Sequence, residues 1–147
     1  MIVHRRATLR DASALFELRR KSILGLAPRG MPAEEAEAWA THLDIAGMQR
    51  KLSDLEIWVA ELDGKAIGWG AICEHLLEGL YTAPEASGQG VGTGLLTMLE
   101  GLIRARGIRM IFAEASSNAK DFYLRLGYRL AAGLRTSEHA WPIAKRL

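Results

Sequence analysis

Four glycines, at positions 88, 90, 92 and 94, fall between the end of one strand pattern and the start of an amphipathic helix. Glycine at this density lets a backbone turn tightly, approach a ligand closely and point several N–H groups at it. The helix that follows adds roughly half a positive charge at its amino end, where an anion contact is worth about 0.3 to 1 kcal/mol. The loop Ser87-Gly88-Gln89-Gly90-Val91-Gly92 therefore reads as a phosphate cradle, with a simple flexible turn as the plainer alternative. Two common nucleotide signatures fail on spacing. A dinucleotide fingerprint wants glycine three residues after each G-x-G, where this chain has Thr93 and Leu95, and a Walker loop wants a lysine, absent between Lys65 and Lys120.

The rest of the chain supplies a fold around that loop. Ile2 to Arg6 is a short strand, and Thr8 with Asp11 forms a capping box ahead of a helix whose apolar face carries Ala12, Leu15, Phe16, Leu18 and Ile23 and which stops near Gly25. Pro32 opens a second helix through Trp39, and a third runs from about Asp44 to Leu52. Glu56 to Leu62, Lys65 to Cys73 and Leu76 to Thr82 read as three consecutive antiparallel strands, the first two joined by the hairpin signal Asp63-Gly64. After the glycine loop, Leu95, Leu96, Met98, Leu99, Leu102 and Ile103 form a wide apolar helical face ended by Gly107. Ile108 to Ala115 is a continuous apolar run, which predicts a strand covered on both faces. Asn118 is expected to cap a last helix, Ala119 to Leu126, ended by Gly127. Tyr128 to Leu134 and Ala140 to Lys145 are the final strands, the second broken by Pro142 and so expected at an edge. The fold class is α/β: a mixed, mostly antiparallel central sheet with helices on both faces, in one domain spanning residues 1–147.

Composition narrows the partners. The charge is +2, from 19 basic and 17 acidic residues with no long run of one sign, so no nucleic-acid partner is expected. The single cysteine, Cys73, excludes an internal disulfide, and no Cys/His cluster has ligand spacing, so no metal is expected. No apolar stretch has the length of a membrane span or a signal core, which leads to the expectation of a soluble, cytoplasmic protein with no membrane partner. The apolar Trp141-Pro142-Ile143 at the presumed edge leaves a homodimer open.

The glycine loop, preceded by Leu80-Tyr81-Thr82-Ala83-Pro84, together with Asn118-Ala119-Lys120-Asp121-Phe122-Tyr123-Leu124-Arg125-Leu126-Gly127-Tyr128, resembles the GNAT superfamily of N-acetyltransferases across nearly the whole chain. The resemblance implies acetyl-coenzyme A as co-substrate and a small-molecule or peptide amine as acceptor. It further implies that the strand holding Leu80, Tyr81 and Thr82 diverges from the strand at Ile108 to Ala115, admitting the pantetheine arm against the backbone of Leu80 and Thr82. Gln89, Gly90, Val91, Gly92 and Thr93, with Ser87 and Gly88 before them, would hold the pyrophosphate. Asn118 would sit beside the pantetheine and Tyr123 near the acetyl sulfur. Ser87 departs from the family's usual Arg or Gln, which implies weaker cofactor binding.

Amine attack on a thioester expels a thiolate, and the Tyr123 hydroxyl is the candidate general acid. With a tyrosine pKa near 10 and a thiol value near 8.5, full transfer is uphill by roughly 2 kcal/mol, less if the tyrosine value is lowered. Simple packing of Phe122, Tyr123 and Leu126 is the alternative role. Glu78, two residues before Leu80 and so on its face by the period of two, is the candidate base, ahead of Glu74 and His75. Trp39, Trp58, Trp69 and His42 are candidates to line the acceptor site or to pack the core, and Glu34, Glu35 and Glu37 to attract a basic amine or to face solvent. A non-catalytic acyl-coenzyme A binding or regulatory module is the competing reading.

Overall fold

The computed structural model describes residues 1–26, 31–131 and 140–147. Its elements are β1 (Ile2–Arg6), α1 (Ala12–Leu26), α2 (Ala33–Thr41), α3 (Ile45–Asp54), β2 (Glu56–Leu62), β3 (Lys65–Cys73), β4 (Leu76–Thr82), α4 (Val91–Ala105), β5 (Met110–Ser116), α5 (Lys120–Arg125), β6 (Arg129–Leu130) and β7 (Ala140–Arg146). Asp63 and Gly64 both take positive φ, 51° and 78°, which suits the twist of the hairpin they close. The capping box at Thr8 and Asp11 forms and opens a short 3-10 turn that leads into α1, while the Asp44 side chain caps α3 by accepting from the Gly47 N–H at 2.7 Å.

Among the described residues the sheet has seven strands in the order β1-β2-β3-β4-β5-β7-β6, antiparallel except for the β4/β5 pair. One face carries α1 and α3 over Ile57, Val59, Trp69 and Ala71, and the other carries α4 and α5 over Ile72, Leu77, Ile111 and Ile143. Trp69 is fully buried, and its indole N–H donates to the Leu15 carbonyl at 3.0 Å, so the core pays no desolvation penalty for it. Gly68 and Gly70 let α4 come down onto β3: a Cβ at Gly68 would stand 2.8 Å from Val91 Cγ1, and one at Gly70 would stand 2.7 Å from Leu99 Cδ1.

Three expectations need correction. β5 is covered on one face only, since Ile111 and Ala115 are buried while Phe112 and Glu114 face outward; α1 and α3 cover β2 and β3 but stop short of β5. β7 is not an edge strand, because it pairs with β5 along its length and with β6 on the other side. Pro142 is tolerated there because its carbonyl accepts from the Ala131 N–H. A residue's N and O point the same way in a strand, so the missing N–H faces short β6 and spares the β5 ladder. The apolar edge invoked for a homodimer is thus an internal strand with Ile143 buried. The expected strand to Leu134 is β6 at Arg129–Leu130, its remainder falling largely outside the described residues.

Candidate active site

β4 and β5 are joined only where β4 begins, Leu76 with Phe112 and Leu77 with Ala113 in the middle of β5, and then part. The cause lies in β4. Its register against β3 steps from Ala71 opposite Gly79 to Ile72 opposite Leu77, leaving Glu78 as an extra, unpaired residue. Such a bulge bends the strand and ends regular pairing.

Beyond the bulge the backbone of β4 alternates cleanly. The Ala83 N–H donates to the Ile67 carbonyl at 2.8 Å, which makes residues 83 and 81 the ones that bond to β3. Leu80 and Thr82 then turn their N–H and C=O groups the other way, into the opening, where no strand meets them. The Thr82 N–H finds the hydroxyl of buried Ser22 at 3.4 Å. Tyr81 spends its backbone on β3 and contributes a side chain instead.

The glycine loop stands at the mouth of this opening. Gly88 and Gly90 take left-handed φ of 79° and 81°, and Gly90 sits at the N-cap of α4 with no side-chain cap. The Ser87 and Gln89 N–H groups close turns onto Pro84 and Ala86 at 3.1 and 3.4 Å, and the first helical bond runs from Gly94 to Gly90 at 2.9 Å. The N–H groups of Gly90, Val91, Gly92 and Thr93 therefore precede any helical acceptor and are free for an anion. Gly92 faces Thr82 Oγ1 and the Phe122 ring, each 3.4 Å from where a Cβ would lie, so the cradle and the β4 edge are contiguous.

Between the two strands and α2 runs a groove of about 690 Å³. Its walls include Glu35 and Trp39 of α2 and His42 at its C-cap, Leu76 to Tyr81 of β4, Ala113 to Ser116 of β5, and Tyr123 of α5. Tyr123 is buried and its hydroxyl makes no hydrogen bond among the described residues. Burial pushes its pKa up, with the neighbouring Tyr81 phenol adding to the rise. That is opposite to the lowering that would ease proton release.

The structure sorts the remaining sequence candidates. Glu78 lines the groove, but not for the reason of strand period: the bulge breaks the alternation, and Leu77, not Glu78, joins Leu80 on the α4 face. His75 packs its ring edge-on against Phe112 at 5.5 Å, and Glu74 lies in the turn with φ 53°, both away from the groove walls. Of the aromatic candidates only Trp39 and His42 line the groove; Trp69 is core, and Trp58 donates to Glu56 at 2.9 Å. Among Glu34, Glu35 and Glu37, Glu35 lines it. Asn118 does not cap α5, whose N-cap is Ala119; its side-chain oxygen accepts from the Ser116 hydroxyl. Sequence reasoning missed Glu114 and the Tyr81 side chain. Alternation along β5 would have put Glu114 outward had both faces not been assigned cover.

Residues 53–130 match the family model described as an acetyltransferase (GNAT) domain. An uncharacterized N-acetyltransferase of Escherichia coli (strain K12), YafP, is 29% identical over 96 residues, 65% of this chain. The match spans 60% of that relative's length. Among solved structures, a GCN5-related N-acetyltransferase (aminotransferase, class-II) from Rhodopseudomonas palustris superposes with a TM-score of 0.92 at 29% identity, covering 99% of this chain and 95% of that one. The PaiA N-acetyltransferase of Thermoplasma acidophilum, in complex with coenzyme A, shares the fold with a TM-score of 0.84 at 20% identity over 100% and 99% of the two chains. A phosphinothricin acetyltransferase of Sinorhizobium meliloti, in complex with AcCoA, does so with a TM-score of 0.75 at 23% identity over 99% and 88%.

Proposed function

The chain belongs to the GNAT acetyltransferase family, and on that premise we propose that it transfers the acetyl group of acetyl-coenzyme A to a primary amine by direct attack in a ternary complex. The observation that carries the reading is the parting of β4 from β5 beside the uncapped start of α4, which leaves the Leu80 edge groups and the Thr82 carbonyl open next to four free N–H groups. These residues fit the co-substrate. Gly90 to Thr93 would take the pyrophosphate, Leu80 and Thr82 the amide-bearing arm, and Asn118 the side of the opening. Ser22 already holds the Thr82 N–H, so the Leu80 N–H is the stronger donor to an incoming carbonyl.

Acetyl-coenzyme A, when bound, supplies an activated acyl thioester. Glu78 receives a proton from the acceptor, leaving a nitrogen lone pair for the carbonyl carbon. As the C–N bond forms and the C–S bond breaks, the nitrogen sheds its second proton to solvent, while Tyr123 gives its proton to the departing sulfur and takes one back from solvent. The raised pKa of Tyr123 disfavours full ionisation, so its contribution is a strong hydrogen bond completed by late proton transfer. Glu35, Trp39 and His42, which line the groove, support an acceptor that enters from the α2 side.

The test is thiol release across a panel of small amines and amine-terminated peptides, alongside calorimetric titration of acetyl-coenzyme A. Tyr123→Phe is expected to lower kcat by about 10² or more while leaving the co-substrate Kd within a factor of two. An unchanged rate removes Tyr123 from the mechanism. Binding without thiol release from any amine favours the non-catalytic binding module, and no binding at millimolar concentration overturns both.

A further inference from the structure

Arg19 is an unusual core residue. It is 5% exposed, and among the described residues no carboxylate pairs with it. Its guanidinium donates to the carbonyls of Trp39 and Ala40 at 3.2 and 3.3 Å, in the last turn of α2, where unsatisfied carbonyls carry the negative end of the helix dipole. The same group lies 5.7 Å from the centre of the Tyr81 ring, and its Nε has no partner. A leucine or methionine would fill this place without the cost of burying a charge. What the guanidinium adds is direction: it ties α1 and the end of α2 to one aromatic ring on β4.

That ring is held on every side. Trp69 packs against it at a tilt of 44° with centroids 4.7 Å apart, and Trp39 approaches at 6.4 Å. Gly79 makes room beneath it, since a Cβ there would stand 2.9 Å from Tyr81 Cε2 and 3.6 Å from the Tyr81 hydroxyl. The ring therefore lies back along β4, carrying its hydroxyl toward the bulge at Glu78, in the wall of the groove. The hydroxyl makes no hydrogen bond among the described residues, and the phenol is close enough to Tyr123 to add to the rise in the Tyr123 pKa. A polar group fixed by four neighbours and bonded to none is placed for a ligand.

Resting on the amine-acetylating reading above, we propose that the Tyr81 hydroxyl receives the acceptor amine, accepting one N–H so that the nitrogen lone pair is aimed across the opening toward the thioester carbon whose sulfur Tyr123 protonates, with Arg19 as the positioning residue that locks the ring. A primary ammonium gives one proton to Glu78 to free its lone pair and still keeps an N–H for Tyr81. A tertiary amine, with no N–H, has nothing for Tyr81 to hold.

The experiment uses the full chain, acetyl-coenzyme A and the best amine of the panel. Tyr81→Phe keeps the ring and its clamp but removes the hydroxyl; kcat/KM for the amine is expected to fall tenfold or more, with the acetyl-coenzyme A Kd within twofold of wild type. Arg19→Lys is expected to lower the same parameter, and Tyr81→Phe/Arg19→Lys to be no worse than Tyr81→Phe alone, because Arg19 acts through the hydroxyl it positions. Gly79→Ala, which keeps the hydroxyl and displaces the ring, gives an independent loss if Tyr81→Phe does not fold. Wild-type turnover with kcat/KM unchanged in Tyr81→Phe, or fully additive losses in the double variant, overturns the proposal alone. Absence of wild-type thiol release overturns the acetyltransferase reading and the proposal with it.

Discussion

Gly68→Ala tests whether the seating of α4 on β3 sets the geometry of the anion cradle. The added methyl would lie 2.8 Å from Val91 Cγ1, 3.1 Å from Leu95 Cδ1 and 3.1 Å from the Tyr81 carbonyl oxygen. Carbon contacts settle at about 3.5 to 4.0 Å, so close to 1 Å must be recovered. The Tyr81 carbonyl belongs to the ladder and cannot yield, and Val91, β-branched and helical, has one favoured rotamer. The first turn of α4 must therefore rise from the sheet. Overpacking of this kind costs about 1 to 3 kcal/mol, and a midpoint of ~2 kcal/mol lowers Tm by about 4 to 8 °C in a domain of this size. Val91 is also one of the residues whose N–H faces the anion, so the same shift misaligns several contacts worth about 0.3 to 1 kcal/mol each. A combined loss near 1.4 kcal/mol raises the acetyl-coenzyme A Kd about tenfold. Thermal unfolding and calorimetry measure the two effects on one sample. Gly101→Ala in the same helix is the control: a Cβ there meets nothing within 4 Å, so helix propensity alone should raise stability by about 0.5 to 1 kcal/mol. Unchanged Tm and Kd in Gly68→Ala, or an equal loss in Gly101→Ala, would refute the reasoning.

Gly90→Ala meets no atom within 4 Å but must hold φ 81°, so strain alone should cost about 1 to 2 kcal/mol and weaken co-substrate binding, seen as parallel losses in Tm and Kd. The Asp11 carboxyl is held low by its hydrogen bond from Arg5, and that of Glu56 by Arg106. Folded values below the unfolded ones mean that this stability is present above about pH 4 and is lost as pH falls through the folded-state values; a flatter acid limb in Asp11→Asn denaturation curves is expected. Tyr128 runs the other way. Burial and its 2.7 Å hydrogen bond to Glu100 raise its pKa, so its contribution is complete below about pH 10 and declines at higher pH, and Tyr128→Phe should remove that alkaline decline in urea titrations.

Local chemistry was legible in the sequence and register was not. The bounds of β2, β3 and β4 follow from alternation and from Asp63-Gly64, where two positive φ angles leave few other turns. The uncapped start of α4 follows from glycine density, a property of the residues themselves. The errors are relational. Whether Ile108 to Ala115 is covered twice depends on how far α1 and α3 reach, and no periodicity within the run encodes that. Pro142 reads as an edge residue until one knows which neighbour its missing N–H faces. Asn118 has the right type to cap α5, but the Ser116 hydroxyl takes its oxygen. Arg19, one polar position in an amphipathic helix, acquires meaning only when α2 and Tyr81 are placed around it.

The extra residue at Glu78 connects these features. Without it, β4 would keep its parallel register with β5 past Leu77, and the N–H and C=O groups of Leu80 and Thr82 would be spent on that ladder. With it, the strand bends, pairing stops, and those groups face an opening that begins beside the free N–H groups of α4. The same displacement takes the Glu78 side chain off the α4 face and into the groove wall, near where the Tyr81 ring lies back over Gly79. A single irregularity thus separates two banks of the groove, with the uncapped start of α4 on one side and the α2 wall on the other, and leaves the Glu78 carboxylate in the lining between them. This is why the face inferred for Glu78 from strict alternation does not hold: the residue lines the groove because it breaks the alternation.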